Sequence, residues 1–371
     1  MVPRILPDLM NPKEIPTGLR RVRDLALPGG ITTVGDRGTG SVGSLKAVVG
    51  ALRSILDNNG TLFRLRLVPD VKILDLTMKN DGAVLANVAA WPGENSDRML
   101  FGDPVKLHAD GAFVAQAMQI DPPGDADGHQ GEWIMAPENL ARLIDLRWRQ
   151  GYDIHLLCNG SLALIVIMDS LEAAKKIHDG ASQRLIIEHF GVSSPDQVAR
   201  LKALNMVVSA NPYYCYSPAD FHSEGNLGPE RGGQIVRLGS LARAGVPFAL
   251  HSDFTMCPME PLFPAWIAAN RITALGSKVA PEEKVSVYAA LQPITINAAY
   301  LLRHADMTGS IAAGKTADFA LLAANPMKVD PLKIKDIEIH GMVFESKPYP
   351  INSCLICDPA DNAGLEAVLI P

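Results

Sequence analysis

The sequence predicts an α/β fold, a barrel of parallel strands followed by a small β appendage. Two observations carry that expectation. Short runs rich in Val, Ile, Leu or Phe alternate with longer amphipathic stretches, and none of these runs reads as a strongly polar edge strand, which favours a barrel over an open sheet. Beyond about Arg303 the alternation gives way to turn-and-strand patterns.

The runs fall at 31–34, 62–67, 105–107, 154–158, 184–188, 206–209 and 248–250, each bounded by Gly, Pro, Asp or Asn. Strands buried on both faces of a parallel sheet read this way. Helix punctuation stands between them. Ala136-Pro137-Glu138-Asn139 opens a stretch that runs to Gln150 and stops at Gly151, and 162–178 forms another that stops at Gly180. Ser194-Pro195-Asp196 places a capping Ser before a first-turn Pro, for a helix reaching about Leu204. A fourth helix is expected over 230–244, ended by Gly245. The stretch from Gly309 to Leu322 reads as a tight turn leading into a strand, and 339–345 as a second strand. The expected division is a barrel over 1–305, a small β portion over 306–350 and an unassigned tail over 351–371.

The 371 residues are 47% hydrophobic and 20% charged, enough for a large core and about two domains. A net charge of -6, with Lys and Arg scattered, argues against a nucleic-acid binder. The five cysteines do not make a disulfide scaffold, and the Cys354/Cys357 pair lacks the second pair that a zinc site needs. No charged-then-apolar leader and no run of 18 apolar residues occurs, so a cytoplasmic protein without a membrane partner is expected.

Ionisable residues at strand ends are the informative feature, because a barrel of this type carries its active face there. Lys106 lies in Val105-Lys106-Leu107-His108, His155 in Asp153-Ile154-His155, His189 closes Ile187-Glu188-His189, and Asp253 closes His251-Ser252-Asp253. Taken singly, a strand His is a core residue, a strand Lys reaches for water and an Asp after a strand caps a helix. Imidazole, carboxylate and a modified amine converging on one barrel mouth make a metal-site inventory instead.

With these stretches, and with Gly30-Ile31-Thr32-Thr33-Val34-Gly35-Asp36, Ile294-Thr295-Ile296-Asn297 and Gly309-Ser310-Ile311-Ala312-Ala313-Gly314-Lys315, the chain resembles the amidohydrolase superfamily. The likeness is to its amidohydrolase-3 (YtcJ-like) group, which includes N-substituted formamide deformylases, and covers about residues 20–350. It implies a (β/α)8 TIM barrel with a small C-terminal β-sandwich, hydrolysing C–N bonds of amides, formamides or cyclic amides. It also implies a divalent metal, zinc first with Mn or Fe as alternatives, as one or two ions. By resemblance Lys106 falls where the family often has a carboxylated lysine, His155 and His189 fall on imidazole ligands, and Asp253 is both a ligand and the acid/base residue. His251, two residues before Asp253, either contacts substrate or supports a ligand, and His108, two after Lys106, shares that ambiguity. Tyr214 and Tyr213 line the pocket or pack the core. Trp133 and Phe113 fall in loops around the mouth, and His129, His222, His304 and His340 read as loop or surface residues. The expected partner is a small-molecule substrate, with a homodimer by base rate.

The chain departs from the family pattern in one large respect: it has no His-x-His, and no histidine precedes His108. The family places that motif on the first barrel strand, so the expectation is a barrel lacking this strand. The alternative reading is therefore a catalytically inactive remnant that acts, if at all, through association. Ser161 after Asn159-Gly160, where many members carry Asp, is expected to affect the support of the ligands rather than ligation.

Overall fold

A strand overlaps each of the seven apolar runs, the first displaced to Thr33–Thr39 from 31–34, and a further two-residue strand forms at Met99–Leu100. The structure, a computed structural model, describes residues 11–351 except 12, 42–44, 73–85, 87–94, 103, 127 and 181. The Cys354/Cys357 pair and the tail lie outside the described residues. Contacts divide the chain into two units.

One unit takes the described residues up to 102 with Thr316–Ala323 and 338–351. Helices α1 (Ile15–Ala26) and α2 (Leu45–Leu56) accompany a parallel sheet of β1 (Thr33–Thr39), β2 (Arg64–Pro69) and the two-residue β3 (Met99–Leu100). Leu56, Phe63, Leu65, Leu67, Met99 and Phe101 form its core, with Leu45, Val49 and Leu52 of α2 packed against it. Later in the chain, β9 (Phe319–Leu322), β10 (Ile339–Phe344) and β11 (Lys347–Pro350) make an antiparallel sheet in the order β11-β10-β9. Charge ties these pieces together within the unit. Arg64 bonds Asp318 at 2.5 Å and Glu345 at 2.9 Å, and Arg98 bonds the same Glu345 at 2.9 Å. Both guanidinium groups lie 4.8 Å from the centre of the Phe344 ring.

The second unit, Pro104–Lys315 with Ala324–Ile337, contains a five-stranded parallel sheet. Its strands are β4 (Pro104–His108), β5 (Asp153–Cys158), β6 (Leu185–His189), β7 (Val207–Ala210) and β8 (Phe248–Leu250), paired in that order. Helices α3 (Pro137–Arg149), α4 (Ser161–Ile177) and α5 (Pro195–Ala203) form the crossovers that parallel neighbours require. The α5 cap is the one the sequence predicts: Ser194 Oγ accepts from the Gln197 amide at 3.2 Å, and Gln197 Oε1 accepts from the Ser194 amide at 2.9 Å. Among the described residues each parallel sheet keeps two edge strands, so the α/β class is met while closure into a barrel is not seen.

The helix expected over 230–244 is instead two, Gly228–Gly233 and Leu238–Ala244. The reason is Arg271, which is 1% exposed and among the described residues bonds backbone carbonyls. Its guanidinium donates to the carbonyls of Gly233, Ile235 and Val236 at 2.9–3.0 Å, taking them out of a helical ladder. Val236 sits at φ +50° in the break.

Candidate functional site

The register of the five-stranded sheet puts the candidate groups on shared rungs. Lys106 pairs with His155 across β4 and β5, Glu188 with Ser209 across β6 and β7, and His189 with Ala210. Side chains alternate along a strand, so Lys106, His155 and Glu188 project from one face. All three are buried, at 3%, 2% and 3% exposure. Glu188 takes a hydrogen bond from Lys106 Nζ on Oε2, and its Oε1 lies 2.8 Å from His155 Nδ1.

His189 would point to the opposite face if β6 continued unchanged. Its φ of +75° turns the backbone at that residue, and its Nδ1 lies 3.3 Å from both the Tyr214 hydroxyl and His251 Nε2. His251 Nδ1 is in turn 2.9 Å from Ser209 Oγ. Tyr214 stacks on Phe113 with centroids 4.2 Å apart, and Phe113 meets the edge of His222 at 4.5 Å. Burial raises the Tyr214 pKa, and the charges of Asp253 and Asp110 add to it, so the hydroxyl keeps its proton at neutral pH. Asp253 lies on the exposed 251–260 loop at φ +54°. Loss of water around its carboxyl raises its pKa, and the Lys106 charge pulls it back. His108 ends β4, half-buried.

Asp110 is a structural centre of the site that sequence reasoning missed. Fully buried, it accepts from the backbone amides of Asn159 at 2.9 Å, Gly160 at 2.8 Å and Gln119 at 3.0 Å. One carboxylate thereby ties the loop after β4 to the turn after β5. Burial pushes its pKa up to about 7 against the pull of those amides. Gly160 is required there, since a Cβ would meet the Gln119 carbonyl oxygen at 1.9 Å. Ser161 supports the same junction by bonding the Asp121 carboxylate and accepting from the Asp121 amide at 3.2 Å. The signal for Asp110 was its place in His108-Ala109-Asp110-Gly111, two residues past the end of β4 in a loop that must turn back.

His222 and His304, expected at the surface or in loops, are buried at 0% and 4% exposure. His222 Nδ1 is 2.7 Å from Asn226 Oδ1, and burial lowers the imidazole pKa against the pull of that bond. A histidine with a depressed folded pKa takes up its proton more readily when unfolded, so stability falls as pH drops below about 6.5. Urea denaturation at pH about 7.5 and about 5.5 is expected to show a smaller loss for His222→Gln than for the wild-type chain. Equal losses would contradict this burial effect.

A metal site requires three or four donors around one point. Among the described residues no three His, Cys, Asp or Glu side chains make a group that could hold a metal ion. The donors stand in two pairs, His155 with Glu188 and His189 with His251, and the amine of Lys106 is bonded to Glu188. Among the described residues the donors thus supply part of what a metal site needs.

Parallel strands joined by helices, with buried imidazoles and carboxylates at strand ends, define an α/β class. The sequence model of the amidohydrolase family matches residues 15–348, and the chain belongs to that family, in its amidohydrolase-3 group. It is 24% identical to the N-substituted formamide deformylase of Arthrobacter pascens, over 66% of this chain and 45% of that protein. It is 26% identical to the YtcJ protein of Bacillus subtilis, over 66% of this chain and 47% of that one. The chain thus spans about half the length of these relatives. An uncharacterized metal-dependent hydrolase from Pyrococcus horikoshii shares the fold at TM-score 0.69 and 19% identity, over 88% of this chain and 63% of that one. Atrazine chlorohydrolase TrzN from Arthrobacter aurescens, solved with zinc, does so at TM-score 0.55 and 15% identity, over 97% and 77%. No helix among the described residues is long and apolar enough to cross a membrane.

Proposed function

We propose that this chain carries the greater part of a hydrolase for C–N bonds in small amides, formamides or cyclic amides. The observation that carries the reading is the family match over 15–348, together with buried Lys106, His155 and His189 on three adjacent strands. Lys106, His155, His189 and Asp253 are the groups that would hold a divalent cation, zinc first. Such a cation supplies Lewis-acid polarisation of a carbonyl and a lowered pKa for water. The chain's own residues do the rest. Asp253, with its pKa raised by lost solvation, accepts the proton of the attacking water and passes it to the leaving nitrogen. Tyr214 keeps its hydroxyl proton and donates to the oxygen that gains charge, beside His251. His108 contacts substrate from the end of β4. The catalytic part ends near residue 305, and a cytoplasmic homodimer is the proposed setting.

The test uses the 371-residue chain loaded with zinc, freed of excess metal and assayed on N-substituted formamides and cyclic amides. Expected are bound zinc that His155→Ala with His189→Ala removes, and hydrolysis that Asp253→Asn lowers by about 10²-fold or more. Zinc retention equal in the wild-type and double-variant chains would overturn the ligand assignment. The second reading, an inactive remnant acting through association, is favoured by the two separate donor pairs. Hydrolysis that depends on Asp253 would end it.

A further inference from the structure

We propose that Phe254 and Met256 select the substrate of this site, forming the apolar contact for the group carried on the leaving nitrogen. The substrates so favoured are amides and formamides with an extended apolar N-substituent. Which part of the substrate is met rests on the proposed function; that the two side chains bind an apolar group does not. Both lie on the 251–260 loop after β8, which also carries His251 and Asp253. Phe254 is 38% exposed and Met256 67%. The Met256 amide donates to the Asp253 carbonyl at 2.7 Å, closing a four-residue turn with Phe254 at its tip. The loop borders the candidate site: the Asp253 charge acts on Lys106 and on the Tyr214 hydroxyl, and Cys257, next after Met256, acts on that hydroxyl as well.

The path of the proton decides the side. In the proposed function Asp253 hands its proton to the leaving nitrogen, so the turn that Asp253 opens lies on the leaving-group side, while Tyr214 and His251 serve the oxygen. Phe254 and Met256 keep apolar area in water, and covering that area with an apolar group is favourable. Ser252, Thr255 and Glu260 frame the pair with polar groups, the setting in which exposed apolar area marks a binding site. The rotatable bonds of Met256 let it follow substituents of different shape, and the Phe254 ring offers a flat face. Two side chains cover far less than the roughly 800 Å² per partner that a stable protein interface buries, which favours a small occupant.

The test uses the full chain and two series of probes. Hydrolysis is followed on N-methyl-, N-butyl- and N-hexylformamide, and binding of methylamine, butylamine and hexylamine, the amines those reactions release, is measured by titration calorimetry. In the wild-type chain kcat/KM and amine affinity are each expected to rise about 2–4-fold per added methylene. Phe254→Ala with Met256→Ser is expected to flatten both series, with the loss on the longer formamides falling on KM rather than kcat. Ile177→Ser, at another exposed apolar position at the end of α4, is expected to leave both series as they are. A flat or absent amine series in the wild-type chain overturns the proposal whatever the variants do, and so does a rise of the same steepness in the double variant. A wild-type dimer that the double variant dissociates would assign the two side chains to an interface between copies and also overturn it. Hydrolysis without dependence on chain length sinks this proposal and leaves the proposed function standing. An amine series that the double variant flattens, in a chain that hydrolyses none of the formamides, does the reverse: the function falls and the apolar contact stands.

Discussion

Glu188→Leu is expected to lower the unfolding free energy by about 3–5 kcal/mol, the usual cost of breaking a buried ion pair from one side. The loss follows from burial: Lys106 is 3% exposed, so its ammonium would lose the carboxylate hydrogen-bonded to it where little water can replace it. Lys106→Met should cost less, since Glu188 Oε1 keeps the His155 ring at 2.8 Å. The double variant Lys106→Met with Glu188→Leu fills the space with apolar side chains and removes both charges, and should recover most of the loss. Urea denaturation of the four chains gives the coupling between the two sites. Additive losses would mean that the pair contributes nothing as a pair.

Asp110→Ala is expected to cost a similar amount, by a different route. Three buried backbone amides, at Gln119, Asn159 and Gly160, lose their acceptor together. Each orphaned donor costs about 1–3 kcal/mol, so a total on the order of 3–9 kcal/mol is expected. Hydrogen exchange locates the effect: these three amides should lose protection before the strands of the sheet do. A loss below about 1 kcal/mol would mean that the loops hold their places without Asp110. The turn after β5 follows the strand that carries His155, so proposed catalysis and local stability share this carboxylate.

The two predictions concern the residues the sequence left least legible. Lys106, His155 and His189 were readable because each interrupts or closes a short apolar run, and a strand buried on both faces tolerates an ionisable group only where it has a partner. The partner itself was not readable. Glu188 stands next to His189, and strict alternation would send the two to opposite faces; only the positive φ at His189 lets Glu188 face Lys106 and His155 while His189 meets Tyr214 and His251. Asp110 was not among the candidates the sequence singled out. Its role depends on two amides about fifty residues downstream, Asn159 and Gly160, brought close by the pairing of β4 with β5. His222 reads as a loop histidine because its segment, Pro218 to Gly225, is polar and short. It is buried because Phe113, far earlier in the chain, packs against its ring. The helix expected over 230–244 failed for a related reason: Arg271 competes for its carbonyls from outside the segment.

By itself the sequence determined the elements whose causes are local: the parallel strands through their apolar runs, the α5 helix through Ser194 and Gln197, and the family through motifs spread over most of the chain. Tertiary structure alone decided which charges meet. Hydrophobic periodicity is written within a single segment, whereas the partner of a buried charge is chosen by strand register and by backbone turns such as the one at His189. Those act between residues such as Lys106 and Glu188, which are 82 positions apart in the chain.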